Sequence, residues 1–257
     1  MQLAIVALAL GSATAFVAPS PSPASSSARQ GAKDDLVALA DSNPDFLGKS
    51  IGFWDPLGIS GQDFWGLGNE GTIGYLRHAE IKHGRVAMAG FLGFCAQSTA
   101  LVSGEHTFLP YKGYVAGCSP QEQWDNIPLY GKLQIFTFIG MLESYGEGAG
   151  QPEGYVHYTK GGQPGYYPPI QGQGLGQIPL NLWDPFQLPG GPSSQDAEAK
   201  ARGLKVELNN GRLAQIGLLS LLSESKGLVV PGLDLIEGFP KYAGDVMVPF
   251  SSDFSLF

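Results

Sequence analysis

Glu80 and His83 lie three residues apart, and Glu207 and Asn210 repeat that spacing far downstream. Three positions along a helix bring two side chains onto roughly one face, so each pair offers two electron-pair donors at similar depth. A carboxylate, an imidazole and a carboxamide can each fill one open axial position on a metal ion that something else already holds. They do not build the octahedral oxygen cage that bare Mg²⁺ demands. A single histidine here would pass for an ordinary hydrogen-bonded polar residue. Histidine in one copy and asparagine in the other, both able to donate to a metal, favours the axial role. A Mg²⁺ held in a porphyrin is the centre that such donors suit.

Both pairs belong to a duplicated unit. Glu80 to Gly90 reads EIKHGRVAMAG and Glu207 to Gly217 reads ELNNGRLAQIG, with Glu, Gly, Arg, Ala and Gly at matching positions. Upstream, Phe53-Trp54-Asp55-Pro56-Leu57 is echoed by Leu182-Trp183-Asp184-Pro185-Phe186. Within each copy the acid and the arginine are five residues apart, about 140° around a helix, too far to pair well on one helix. Two helices meeting at the motif can pair reciprocally, Glu80 with Arg212 and Glu207 with Arg85. Gly84, Ala87, Gly90 and Gly93 recur at every third position, as do Gly211, Ala214, Gly217 and Ser220. Small residues in such register let membrane helices approach closely.

Three helices are expected to position these groups, over about residues 73–102, 127–145 and 196–226. The uncharged run from Val86 to Gly104 is long enough for a hydrocarbon core of ~30 Å. Charges at the mouth of such a helix are costly and usually carry function or meet partners. The middle helix has only ten consecutive uncharged residues, Leu133 to Leu142, which is short for a span. Two repeats related by an axis along the membrane normal run in the same direction, so an odd number of crossings must separate them. The middle helix is the one candidate. Ser193 or Ser194 is placed to cap the third helix, with Asp196 and Glu198 at its positive end. That helix should stop near Gly227, with Pro231 beyond.

The paired motif, E-x-x-H-G-R-x-A-M followed by E-x-x-N-G-R-x-A, resembles the light-harvesting chlorophyll-binding superfamily. The Glu-Leu-Asn-Asn-Gly-Arg form and the Trp-Asp-Pro boxes resemble its fucoxanthin chlorophyll a/c branch. The resemblance covers roughly Ile51 to Leu233. It implies the chlorophyll a/b-binding protein fold, an all-α membrane protein of three transmembrane helices, the first and third crossed and related by a pseudo-two-fold. It implies chlorophyll a, chlorophyll c and fucoxanthin or a related xanthophyll as cofactors. Glu80, His83, Glu207 and Asn210 would be axial to chlorophyll Mg, and Gln134, Glu143 and Glu224 would sit at further pigment positions. Arg85 and Arg212 would be ion-pair partners that also shape the pigment sites. The Trp-Asp-Pro loops would lie against helix ends, where relatives hold their central carotenoids; a plain helix-entry turn accounts for them equally well.

Outside the helices the composition is irregular. Residues 1–33 read as an address: a short apolar run from Leu3 to Leu10, the small-residue stretch Ala13-Thr14-Ala15, then Phe16 and a Ser/Pro/Ala-rich tract without an acid before Asp34. This resembles a signal followed by a plastid transit peptide and leaves 34–257 as the light-harvesting domain. Asp34 to Gly71 is expected to be an irregular approach segment. Tyr145 to Leu180, rich in Gly, Pro, Gln and Tyr, is expected to bury no core of its own. The tail after Pro231 could form an interfacial helix. Two cysteines, Cys95 and Cys118, make no disulfide framework.

Charged residues are only 15% of the chain, and mean hydropathy is near zero. A net charge of −8 argues against nucleic acid as a partner and against a basic patch for anionic lipid. Arg77, Lys82, Lys160, Lys200, Arg202 and Lys205 fall on the N-terminal side, which the positive-inside tendency would make stromal in a multi-pass thylakoid protein. The expected role is that of an antenna, not an enzyme, with the photosystem I or II core, other antenna subunits and thylakoid lipids as partners. A photoprotective relative would share the same sequence features. A small transporter using its Glu, His and Arg groups for proton traffic is disfavoured, because each such group has a repeat-related partner or ligand role.

Overall fold

The structure, a computed structural model, describes residues 32–43, 52–105, 111–150, 152, 154–170, 184–189, 191, 194–246 and 248–250. Residues 1–31 of the expected address, Trp183 of the second box and residues 171–180 of the long loop lie outside them. Six α-helices are present among the described residues: α1 Ala32–Ser42, α2 Gly68–Gln97, α3 Ala100–Ser103, α4 Pro120–Asn126, α5 Leu129–Gly146 and α6 Ala197–Ser225. No strand occurs among these residues. The segment 32–42, read from composition as part address and part irregular approach, is helical.

Side-chain caps decide where the long helices begin. Asp63 Oδ1 accepts from the Gly68 amide at 2.8 Å, and Thr72 Oγ1 accepts from the Phe64 amide at 3.0 Å. Asn69 Nδ2 donates to the Ser60 carbonyl at 2.8 Å, so the stretch after the first Trp-Asp-Pro box folds over the start of α2. Asp55 of that box accepts from the amides of Ile59 and Ser60 and from the Ser60 hydroxyl. These bonds, the Ser60 hydroxyl foremost, hold its carboxyl below the usual range. At α6 the cap is Asp196, whose Oδ1 accepts from the Ala199 amide at 2.7 Å. Ser194, an expected cap, instead donates to the Gly191 carbonyl.

The ends of α2 and α6 differ in kind. Ser98 and Thr99 turn their hydroxyls back onto the carbonyls of Phe94 and Ala96, and α2 stops before α3 begins. The uncharged run from Val86 to Gly104 is therefore not one continuous helix. No helix of the described residues is long and apolar enough to cross a membrane. Glu70, Arg77, Glu80, Lys82 and Arg85 are spread over α2 as far as its eighteenth residue, which removes the long apolar window a span shows. Helix α6 closes as expected near Gly227. Leu228 N–H bonds to the Ser223 carbonyl and Gly227 N–H to that of Glu224, with Gly227 at φ 85°, the left-handed turn that glycine adopts without penalty.

The chain divides into two units, whose boundaries fall inside α2, α5 and α6. One contains residues 87–142 and the chain from 213 onward. Ala87, Phe94, Leu221 and Tyr242 are buried there. Its tail is tied down by Tyr242, whose amide donates to the Ser225 carbonyl at 2.9 Å and whose hydroxyl donates to Asp125 Oδ2 at 2.8 Å. Burial and then the Asp125 hydrogen bond push the Tyr242 phenol up to about 12. No helix forms among the described tail residues, in place of the interfacial helix expected. Pro231, Pro240 and Pro249 interrupt it.

The other unit contains the described residues up to Val86 and residues 143–212. Here the loop expected to bury no core of its own packs on α2. Tyr158 stacks on His78 with ring centroids 3.9 Å apart, Tyr145 donates to the Pro169 carbonyl at 2.7 Å, and both tyrosines and Pro168 are buried. Gly71 and Gly74 make this possible. A β-carbon on Gly74 would collide with the Tyr158 carbonyl, and one on Gly71 would come within 3.3 Å of that of Thr159.

Candidate functional site

The duplicated motifs meet. A β-carbon built on Gly211 would lie 2.9 Å from the Gly84 α-carbon, so the absence of side chains at both places sets how near the backbones come. Around that contact the acids and bases exchange partners. Arg85 Nε donates to Glu207 Oε1 at 2.5 Å, and Arg212 Nε donates to Glu80 Oε1 at 2.7 Å. Both pairings are those the five-residue offset requires. They are not equivalent: the Glu207 and Arg85 side chains are 5% and 20% exposed, those of Glu80 and Arg212 37% and 43%.

Each acid commits Oε1 to an arginine and retains Oε2 as a donor, with its charge already balanced. His83 Nδ1 lies 2.7 Å from the Ala79 carbonyl. Facing an acceptor, Nδ1 must carry the proton, which leaves the Nε2 lone pair free to bind a metal. Asn210, on the α6 turn that follows Glu207, is half-buried. Carboxylate, imidazole and carboxamide thus occur as separate single donors, and no group of three or more His, Cys, Asp or Glu that could cage a metal ion exists among the described residues. The donor chemistry fits a Mg²⁺ that arrives inside a macrocycle.

The remaining candidates are placed differently. Glu143, near the end of α5, accepts at Oε2 from Lys82 Nζ at 2.6 Å. Gln134 is exposed on α5 in the other unit. Glu224 is buried, with Oε1 bound by Lys241 at 2.7 Å and Oε2 accepting from the Val230 amide at 3.3 Å. Unlike Glu80 and Glu207, it has both oxygens engaged by the chain itself.

A second polar cluster escaped the sequence reading. Glu147 Oε2 accepts from the Tyr158 hydroxyl at 2.9 Å and lies 3.0 Å from His157 Nε2, while Oε1 accepts from Lys82 Nζ at 3.1 Å. Burial alone would raise its pKa, but these hydrogen bonds from Tyr158, Lys82 and His157 hold it below the usual 4.5. Burial, followed by the bond to Glu147, raises the Tyr158 phenol. Lys82, inside the duplicated motif, was a signal available in the sequence. Glu147 and His157 sit in a segment whose composition reads as irregular.

The chain resembles known proteins over most of its length. The family described as "Chlorophyll A-B binding protein" matches residues 40–226. Fucoxanthin-chlorophyll a-c binding protein E, chloroplastic, of Macrocystis pyrifera is 30% identical over 172 residues, covering 67% of this chain and 68% of its own. The Trieres chinensis fucoxanthin-chlorophyll a-c binding protein, chloroplastic, is 30% identical over 228 residues, 86% of this chain and 93% of its own. Protein B of the same name from Phaeodactylum tricornutum is 28% identical over 245 residues, 91% of this chain and 100% of its own.

Proposed function

Because the chain belongs to the chlorophyll a/b-binding protein family, we propose that it is a light-harvesting antenna of the fucoxanthin-chlorophyll type. It binds chlorophyll a, chlorophyll c and a xanthophyll, fucoxanthin or a relative, and passes excitation to a photosystem core. The observation that carries this reading is the exchange of partners between Glu80–Arg212 and Glu207–Arg85. It leaves two charge-compensated carboxylates, with His83 and Asn210 three residues along from them.

Like other holders of pigment, the protein is not an enzyme. The macrocycle supplies light absorption and a Mg²⁺ with an open axial position. The chain supplies distance, orientation and polarity. Glu80, His83, Glu207 and Asn210 present single donors, and Arg85 and Arg212 cancel the charge that a bare carboxylate would bring to an apolar pigment. Gln134, Glu143 and Glu224 are further candidate donors. Family membership favours a thylakoid location, with α2, α5 and α6 as three crossings and the N-terminus stromal. Pigment faces and the two cross-helix ion pairs would offset polar groups that lipid alone disfavours. Residues 1–33 would act as the plastid address and be removed.

Refolding the full chain with chlorophyll a, chlorophyll c and fucoxanthin tests the reading. The expected product is a stable coloured complex in which exciting chlorophyll c or fucoxanthin yields chlorophyll a fluorescence. A stably folded, colourless product overturns the proposal. A strongly shortened fluorescence lifetime would assign the protein to dissipation of excitation in place of harvesting.

A further inference from the structure

The two halves of the duplicated site are built alike but finished differently. Among the described residues, the loop that follows α5 bonds to the Arg85–Glu207 half. Gly165 in that loop engages α2 twice: its N–H donates to His78 Nδ1 at 3.0 Å, and its carbonyl accepts from Arg85 Nη1 at 2.7 Å. His78 and Arg85 are seven residues apart, two turns along one face, with Ile81 between them. Gly165 has φ 78°, and a β-carbon there would meet Ile81 Cγ2 at 2.9 Å and Cδ1 at 3.0 Å. Backbone conformation and space both call for glycine. His78 is 5% exposed and held flat against Tyr158, so its acceptor nitrogen has little freedom.

Arg85 is consequently fixed at two points. Nη1 is on the Gly165 carbonyl and Nε on Glu207. A guanidinium is planar and rigid, so fixing it at two nitrogens fixes the orientation of the carboxylate it holds. The repeat-related position of His78 is Lys205, which donates to Asn43 Oδ1. Glu80 and Arg212 remain 37% and 43% exposed.

We infer that His78 and Gly165 are positioning residues for the pigment carried by Glu207: the loop clasps Arg85, and Arg85 aims Glu207. This rests on the proposed pigment-binding role and gives the loop a task within it. The Glu207 site is then the ordered one of the pair, and disturbing the clasp affects that site and spares the one at Glu80.

The test refolds the full chain with chlorophyll a, chlorophyll c and fucoxanthin. Glu207→Leu and Glu80→Leu, which remove the donor altogether, are compared first with the unaltered chain, to assign a visible difference band to each site. His78→Phe keeps a ring against Tyr158 but removes the acceptor for the Gly165 amide. His78→Asn offers an oxygen near the place of Nδ1. Loss of a partner bonded directly to a metal ligand typically weakens the hold about 10–100-fold, and His78 reaches Glu207 through Gly165 and Arg85, that direct partner. His78→Phe should therefore lose the Glu207 band and keep the Glu80 band, while His78→Asn restores the former. Gly165→Ala, which disturbs the clasp from the loop side, should lose the same band. Retention of the Glu207 band in both His78→Phe and Gly165→Ala overturns the inference, as does equal loss of both bands or failure of both variants to refold. An unaltered chain that takes up no chlorophyll instead overturns the underlying reading, and the inference with it.

Discussion

Gly84 and Gly211 face each other where the two repeats meet, close enough that a β-carbon on the second would sit 2.9 Å from the α-carbon of the first. Nothing at that point can move aside, because the obstructing atom is backbone. Gly211→Ala should therefore force the segments apart, at a cost of about 1–3 kcal/mol from overpacking. Gly93→Ala is the control, since nothing lies within 4 Å of its added methyl. Alanine favours an α-helix over glycine by about 1 kcal/mol, so this variant should be neutral or more stable. Thermal loss of visible circular dichroism in refolded complexes measures both. Equal behaviour of the two variants would show that the close approach does not matter.

The ion pairs should differ in what they contribute. Arg85→Leu strands Glu207 at a site where the carboxylate side chain is only 5% exposed; breaking a buried pair from one side costs ~3–5 kcal/mol. Arg212→Leu strands Glu80, 37% exposed, and solvent-accessible pairs are typically worth about 0–1 kcal/mol. The double variant Arg85→Leu with Glu207→Gln should lose less than the sum of its parts, because neutrality returns. Stability and refolding yield would be compared across this cycle and Arg212→Leu. Simple additivity at Arg85 and Glu207, or a larger loss at Arg212 than at Arg85, contradicts this ranking.

The exchange of partners was legible in the sequence for a geometric reason. An acid and a base five residues apart point to different sides of a helix, so each needs a partner from elsewhere, and the second copy supplied it. The inequality of the two pairs was not legible. Gly165 bonds Arg85 and His78 through its own carbonyl and N–H, and backbone groups leave no pattern of side chains to read. The Glu147 cluster was hidden similarly, split between Lys82 in a recognisable motif and His157 and Tyr158 in a stretch that looked structureless. Lys241 engages Glu224 from the tail across a turn that no helical period spans. The early end of α2 was missed because Ser98 and Thr99 sit in an uncharged run, where their hydroxyls count as tolerable in a helix while in fact closing it.

Acid should loosen the loop that Glu147 holds. The Glu147 carboxyl is held below its ordinary range by Tyr158, Lys82 and His157, against the opposing effect of burial. A group whose folded pKa is depressed contributes stability that is present above its unfolded value and lost as pH falls through the folded one. Protease susceptibility of the segment around residues 154–170, followed from about pH 6 down to about pH 3, should rise on acidification in the unaltered chain. Glu147→Gln should be more susceptible at about pH 6, converge on the unaltered chain at low pH, and so show a flatter pH dependence. Parallel profiles for the two would remove Glu147 as the titrating group.

His83 and Asn210 separate ligation from structure. His83 Nδ1 donates to the Ala79 carbonyl, which already satisfies that nitrogen and leaves the Nε2 lone pair. Neither residue takes part in the Arg85–Glu207 or Arg212–Glu80 pairs. His83→Leu and Asn210→Leu should each remove one chlorophyll per chain, with both ion pairs and the Gly84–Gly211 approach left in place. Refolding yield should accordingly fall less than in Arg85→Leu, even though that variant leaves all four proposed Mg donors in the chain. Chlorophyll-to-carotenoid ratio reports the first effect and yield the second. Should His83→Leu keep its full chlorophyll complement, His83 is not an axial donor. Should it fail to refold as badly as Arg85→Leu, ligation and helix pairing are not separable at this site.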